Sequence, residues 1–313
     1  MTTSSRNEII ALAYVVPTKD RRDDLTKLLA SISQQTIQPN QIVIVDASDL
    51  PVRDLADQFS ALPITYVREF PPSLSRQRNA GMAALNENIK VAGYIDDDIE
   101  LAADATERMI AFWTAAPPQV GGAAFTIANQ PLRHRVLGIL SEIFMINSRR
   151  SGAVLRSGFS SSITPQPANV RTEWLYGGAT LWRREVIASY KYDEWYLGHG
   201  YLEDLDFSFR VSRNYELWLV ANARLWHWPH PIRVDRNVDL GRQQMVNRIY
   251  FVRKLKCFPM TLVIWGLFGQ GIRNLLESLH QRNRAGLLRL WGNLLGLKDL
   301  AVNRGRSVEG NWK

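Results

Sequence analysis

Three consecutive aspartates, Asp96-Asp97-Asp98, are the densest cluster of like charge in the first hundred residues. Carboxylates about 4 Å apart repel by roughly 4 kcal/mol per pair at an effective dielectric near 20. A hard divalent cation removes that cost by taking oxygen ligands. The apolar residues 91–95 before the triplet predict a strand. Extended backbone sends Asp96 and Asp98 to one side and Asp97 to the other. An Asp-x-Asp pair in that geometry can hold Mg2+ or Mn2+ against a substrate diphosphate. The same triplet also reads as a solvated acidic turn, since aspartate favours turns. A second acidic pair, Glu203-Asp204, stands where a helix is expected to begin, and acids there offset the helix dipole.

The elements that carry these residues alternate. Residues 11–16, 41–45, 64–67 and 91–95 predict strands, and 23–35, 52–59 and 73–85 predict helices. Leu25, Leu28, Leu29 and Ile32 share one face of the first helix. Such alternation implies crossovers and a mostly parallel sheet with helices on both faces. Ligands bind beyond the carboxyl ends of such strands, which selects residues 17–20, 46–48 and 96–98. Residues 156–170, rich in Ser, Pro, Thr and Gly, predict a mobile loop. From residue 241 onward the pattern is helical.

Composition sets the bounds. The chain has 313 residues, 46% hydrophobic and 22% charged, which excludes a disordered or collagen-like chain and suits about two domains or one large α/β unit. Cys257 is the single cysteine, so an intrachain disulfide, a Cys-based zinc site and a Cys-x-x-Cys redox motif are excluded. Net charge is +8, and residues 242–313 hold 13 Lys/Arg against 3 Asp/Glu. The apolar run 9–17 follows one cation and leads straight into charged residues, so it reads as a buried strand rather than a signal peptide. The apolar stretch 257–272 is 16 residues long with three glycines. That is short of the roughly 20 needed to cross a bilayer.

Six segments, in order, resemble the family 2 inverting glycosyltransferases of the GT-A fold. Val15-Val16-Pro17-Thr18 resembles the family's opening strand, and Ile42-Val43-Ile44-Val45-Asp46 its second, whose terminal aspartate contacts the nucleotide base. Leu74-Ser75-Arg76-Gln77-Arg78-Asn79-Ala80-Gly81 is similar to the helix beside the nucleotide, and Ile95-Asp96-Asp97-Asp98 to the metal-binding Asp-x-Asp. Gly177-Gly178 and the residues to Arg184 resemble the acceptor-side segment, and Glu203-Asp204 to Arg210 the motif that supplies the catalytic base.

The resemblance implies an α/β, Rossmann-like GT-A sheet over residues 8–256, divided into a nucleotide-sugar half (8–100) and an acceptor half (101–256). Residues 257–313 then form a basic helical extension. It implies Mn2+ or Mg2+ on Asp96, Asp98 and His227, the last being the better spaced of the two histidines in Trp226-His227-Trp228-Pro229-His230. Nucleotide contacts fall on Pro17, Thr18, Asp46, Arg78, Asn79 and Asp97, with Arg78 on phosphate and Asn79 bracing the metal loop. Asp204 is the general base, with Glu203 as second candidate. Gly177, Gly178, Trp174 and Trp195 face the acceptor, the tryptophans as stacking platforms; Trp182 and Trp218 read as core.

The implied reaction moves a hexosyl unit from a UDP-, dTDP- or GDP-sugar to a hydroxyl of a glycan or lipid-linked saccharide, in bacterial surface-glycan synthesis. The processive members' Gln-x-x-Arg-Trp motif is absent from the sequence. The basic amphipathic tail suits an anionic membrane surface, a second subunit or the catalytic domain. A peripheral position on the cytoplasmic membrane face is the expectation. Nucleic acid is not an expected partner, as no recognised motif accompanies the charge. Two other readings remain: a sugar-phosphate nucleotidyltransferase, although residues 18–24 contain no glycine, and a non-catalytic glycan- or membrane-binding relative.

Overall fold

The computed structural model describes residues 10–130, 135–198 and 200–302. Its elements run β1 (Leu12–Thr18), α1 (Arg22–Ser33), β2 (Gln41–Asp46), α2 (Arg53–Gln58), β3 (Ile64–Arg68), α3 (Leu74–Ala83), β4 (Val91–Ile95), β5 (Ile99–Leu101), α4 (Ala105–Ala115) and β6 (Val120–Ile127). They continue with α5 (Arg135–Ile143), β7 (Val170–Thr172), β8 (Ala179–Arg183), α6 (Arg184–Ser189), α7 (Glu203–Ser212), β9 (Glu216–His227), α8 (Asn237–Leu255), α9 (Met260–Gln281) and α10 (Ala285–Val302).

One sheet holds the strands in the order β3-β2-β1-β4-β8-β6-β9-β5, with β7 on β9. The strands β3, β2, β1 and β4 are parallel, as the alternation predicts. β8 enters antiparallel between β4 and β6, so the second half of the sheet is mixed. Period-two alternation then divides the core. Leu12, Tyr14 and Val16 face α1 and its Leu25, Leu28, Leu29 and Ile32, while Ala13 and Val15 join Val43, Val45 and Phe207 on the other face. Because both faces are covered, β1, β2 and β4 are buried along their whole length.

Residues 156–170 depart from expectation. They are mostly irregular up to β7, but they are packed. Phe159 and Ile163 are buried, and Ser161 Oγ accepts a bond from Ala153 N at 2.7 Å. Phe159 joins a third core with Leu205, Met245, Ile249 and Val263. Through it the C-terminal helices attach to the sheet layer. α8 ends at Lys256, which is left-handed at φ 55°. α10 then returns along α8, where Arg242 and Asp299 pair at 2.6 Å. The expected extension therefore packs onto the last helix of the expected catalytic unit. Its end, residues 303–313, lies outside the described residues, as do residues 8 and 9.

Candidate active site

β4 ends at Ile95, and the chain turns through Asp96-Asp97-Asp98 into β5. β5 pairs with the end of β9, which sets Ile99 opposite His227. That pairing brings His227 Nε2 to 3.1 Å from Asp98 Oδ1. One ligand atom each from Asp96, Asp98 and His227 lies within 4.8 Å of the others. Asp98 Oδ1 is buried and has no well-aligned hydrogen-bond donor. An oxygen taken out of water without a donor is costly unless a cation meets it. Two carboxylates, one of them with an oxygen that lacks an aligned donor, and an imidazole are a donor set that fits Mn2+ or Mg2+.

Asp97 is not one of that set, but the chain turns at Asp97-Asp98 rather than running extended, so the expected two-sided alternation is not what separates it. Its Oδ2 accepts from Thr18 Oγ1 at 2.7 Å and its Oδ1 from Arg21 Nη1 at 3.0 Å. Burial pushes its carboxyl up to about 7, against the pull of Arg21. Burial also pushes Asp98 up, but His227 and Arg21 outweigh it and the carboxyl titrates below its ordinary value. His227 is raised by Asp98, with burial opposing.

Arg21 was not legible as a site residue, because the charged run 18–24 reads as a polar turn. The only signal is a cation just beyond the first strand's carboxyl end. Its guanidinium bridges Asp97 and Asp98 and is 41% exposed. With Pro17, Thr18, Gln77 and Asp96 it lines a cavity of about 450 Å³. Gln77, also missed, ties the ends of β1 and β2 together by donating to Thr18 O and Val45 O.

A second cavity of about 550 Å³ adjoins the first, and Asp96 lines both. Glu203 and Asp204 reach it from the start of α7, after a sharp turn with Gly200 at φ 72° and Leu202 at φ 77°. Left-handed backbone at a leucine is strained and is held by its surroundings. Asp204 Oδ2 accepts from Gly177 N at 3.2 Å, and Oδ1 from Leu205 N at 2.7 Å. Burial raises the Asp204 carboxyl, while Arg78 pulls it down. Burial, then the charge of Asp204, push Glu203 up to about 8 against Arg78.

Arg78 is placed differently from the phosphate contact expected of it. It is 2% exposed, bonded to Glu203 Oε1 at 2.5 Å and 3.6 Å from Asp96. The rings of Tyr94 and Tyr192 lie 5.4 and 5.0 Å from its guanidinium. It therefore ties Asp96 to the Glu203-Asp204 pair. Gly177 and Gly178 are glycines for the same reason. A Cβ on Gly177 would lie 2.4 Å from Arg78 Nη2, and one on Gly178 1.8 Å from Asp96 Oδ2. Both line the second cavity.

Three other expectations meet different placements. Asp46 is wholly buried, accepts from Ser48 N, Val52 N, Tyr66 Oη and Arg68 Nη1, and lines neither cavity. Asn79 braces no metal loop; its amide exchanges bonds with the backbone of Tyr192 and holds Glu194. Trp195 stacks on Tyr250 at 3.6 Å and lines neither cavity. Trp174 does line the second cavity, oriented by a bond from Nε1 to Ser161 O at 2.9 Å. Ser160 and Ser162, from the segment expected to be mobile, line it as well. Trp182 is core, against Phe207.

Comparison with known proteins agrees with this geometry. The sequence matches the model of Glycosyl transferase family 2 over residues 14–169. No curated protein matches it significantly. Among solved structures, the mannosyltransferase PcManGT from Pyrobaculum calidifontis, determined with GDP-Man and Mn2+, superposes with a TM-score of 0.58 at 11% identity, covering 92% of this chain and 87% of its own. S. aureus TarS gives 0.54 at 11% identity over 90% of this chain, which spans 55% of that protein's length. GalNAc-T7, determined with UDP, GalNAc and Mn2+, gives 0.52 at 13% identity over 81% of this chain and 56% of its own. At such identities the likeness is one of fold. With two adjoining cavities, a carboxylate shared between them and a family match across the parallel half of the sheet, the chain belongs to glycosyl transferase family 2 and has a GT-A fold.

Proposed function

We propose that the chain is an inverting, metal-dependent, non-processive hexosyltransferase. The observation that carries the reading is Asp96, which lines both cavities. On its first side, Thr18, Arg21 and Asp97–Asp98 suit a nucleoside diphosphate. On its second, Asp204, Trp174 and the serines suit a saccharide hydroxyl. The acceptor oxygen attacks the anomeric carbon and its proton passes to Asp204. The bond to the diphosphate breaks, and its electron pair stays on the departing phosphate oxygen. One displacement inverts the centre. Arg21 turns from Asp97 and Asp98 to the departing phosphate. A bound Mn2+ or Mg2+ supplies neutralisation of the charge that develops there, and Asp96, Asp98 and His227 would hold it.

The donor class is a UDP-, dTDP- or GDP-sugar, and the acceptor a glycan or lipid-linked saccharide of a bacterial surface, met at the cytoplasmic face of the membrane. Calorimetry with UDP, dTDP, GDP, CMP and ATP, with and without Mn2+, tests the reading. Tight, metal-dependent binding of one nucleoside diphosphate, lost in Asp98→Ala, is expected. A folded protein that binds none of the five has no donor site of this kind. The anomeric configuration of the product, read by NMR, decides inversion.

A further inference from the structure

The inward side of the last two helices is rich in glycines and amides. Surface helices of proteins in water turn an apolar stripe inward and polar residues outward. α9 buries Gly266, Gly269, Asn274 and Ser278 beside Val263 and Leu267, and α10 buries Gly286, Gly292, Asn293 and Gly296. Gly266 and Gly269 of α9 admit the side chains of Phe159 and Phe144, while backbones touch at Gly286 and Gly292 of α10. A Cβ on Gly286 would be 1.9 Å from Asn274 O, and one on Gly292 2.1 Å from Val238 O. Asn274 Nδ2 donates to Asn293 Oδ1 at 2.8 Å, and Asn293 Nδ2 to Gly241 O at 2.7 Å. Glycine contacts with interhelical amide bonds are how helices associate where apolar burial gives no drive, as in lipid.

The outward side is apolar. Ile264, Phe268, Leu279, Leu287, Trp291 and Leu294 are all 48–66% exposed. The patch continues onto α5, where Trp265 Nε1 donates to Ile143 O at 2.9 Å and Ile143 is itself exposed. A groove of about 760 Å³ opens between α8, α9 and α10. Cations surround the patch. Residues 253–302 contain eight Lys/Arg and two Asp/Glu. Arg253, Lys256, Arg282, Arg284 and Lys298 are exposed, and none takes part in an ion pair among the described residues. No described helix is long and apolar enough to cross a membrane.

We propose that α9 and α10, with the end of α5, form a face that lies in the plane of an anionic bilayer. Their leucine, phenylalanine and tryptophan side chains enter the acyl boundary, and the five cations meet lipid phosphates. A second copy of the chain fits the face less well, because a two-fold pairing sets the same basic residues opposite one another. The inference rests on the function proposed above only for its membrane setting. It uses no residue of the catalytic cleft, so the two readings fail separately.

Flotation of the full chain with vesicles tests it, comparing phosphatidylcholine alone with a mixture containing phosphatidylglycerol. The wild type is expected to float with the anionic vesicles, at least about tenfold more weakly with neutral ones or at high salt. Phe268→Ser/Trp291→Ser and Arg282→Glu/Arg284→Glu, all at exposed positions, are each expected to lower partitioning at least about tenfold with unchanged melting temperature. Asp98→Ala is expected to float like the wild type even though it loses nucleotide binding. Failure of the wild type to float, equal flotation on both compositions, or a dimer in solution that the apolar pair of substitutions dissolves while vesicles bind neither form, overturns the proposal.

Discussion

The cleft and the C-terminal helix pair bury opposite things. In the cleft, Arg78, Glu203 and Asp97 are buried ionisable groups, and the rings of Tyr94 and Tyr192 flank Arg78. In α9 and α10, amides and glycines are enclosed together with Val263 and Leu267, while Phe268, Trp291 and Leu294 face outward. Each arrangement is costly in water alone and becomes favourable once its complement arrives. For the cleft the proposed complement is a charged, polar ligand. For the helices the proposed complement is an apolar medium with anions at its edge. The difference teaches that burial must be read together with what is left exposed.

The largest expected effect lies in the cleft. Asp204→Asn should lower turnover by about 10²–10⁴-fold while nucleotide affinity is retained, as steady-state transfer assays and calorimetry would show. An equal loss of both would make Asp204 structural instead. Next comes Arg78→Met, which strands Glu203 beside Asp204. Denaturant unfolding should show a loss of about 3–5 kcal/mol at pH 9, and less at pH 6, where Glu203 carries a proton.

Gly292→Ala tests the glycine-rich interior of the helix pair. Its new methyl group meets the Val238 carbonyl, and melting should report a loss of about 1–3 kcal/mol. A neutral result would mean that α10 does not press on α8. The pH dependence of stability is expected to be smaller. Glu203 is raised from 4.5 to about 8, so between those values the folded chain holds a proton that the unfolded chain has lost. Stability therefore falls as pH rises through that window, by on the order of 1–2 kcal/mol from pH 6 to pH 8. Glu203→Gln should flatten this fall in part, since Asp97, raised to about 7, acts in the same direction. Smallest of all is Leu294→Ser, expected within about 0.5 kcal/mol of the wild type without lipid. A large loss there would mean that the outward face is not free.

Much of the site was legible from the chain. Asp96, Asp98 and His227 converge as expected, because a strand end fixes the first two and β9 carries the third beside them. Asp204 reaches the cleft from the start of a helix, as its acidic pair implies. What spacing did not reveal has one cause. Asp46, Arg78 and Asn79 sit at expected places along the chain, but their side chains are engaged by Tyr66 and Arg68, by Glu203, and by Tyr192. Hydrogen-bond capacity is spent by partners distant in sequence, which spacing does not reveal. Trp195 was lost as a platform because Tyr250, 55 positions later, covers its ring.

What the sequence determined by itself is the parallel half of the sheet, the strand ends and the two acidic clusters. Those follow from local periodicity and from the repulsion of adjacent charges, which need no distant partner. Tertiary structure alone decided that Arg78 joins the clusters, that Arg21 bridges Asp97 and Asp98, and that residues 156–170 are packed against the cleft. It also decided which face of α9 and α10 turns inward. Glycine and leucine stripes both recur at helical spacing, and only the close approach of α8 to α10 selects the glycines for the interior, because a backbone leaves room there for nothing larger.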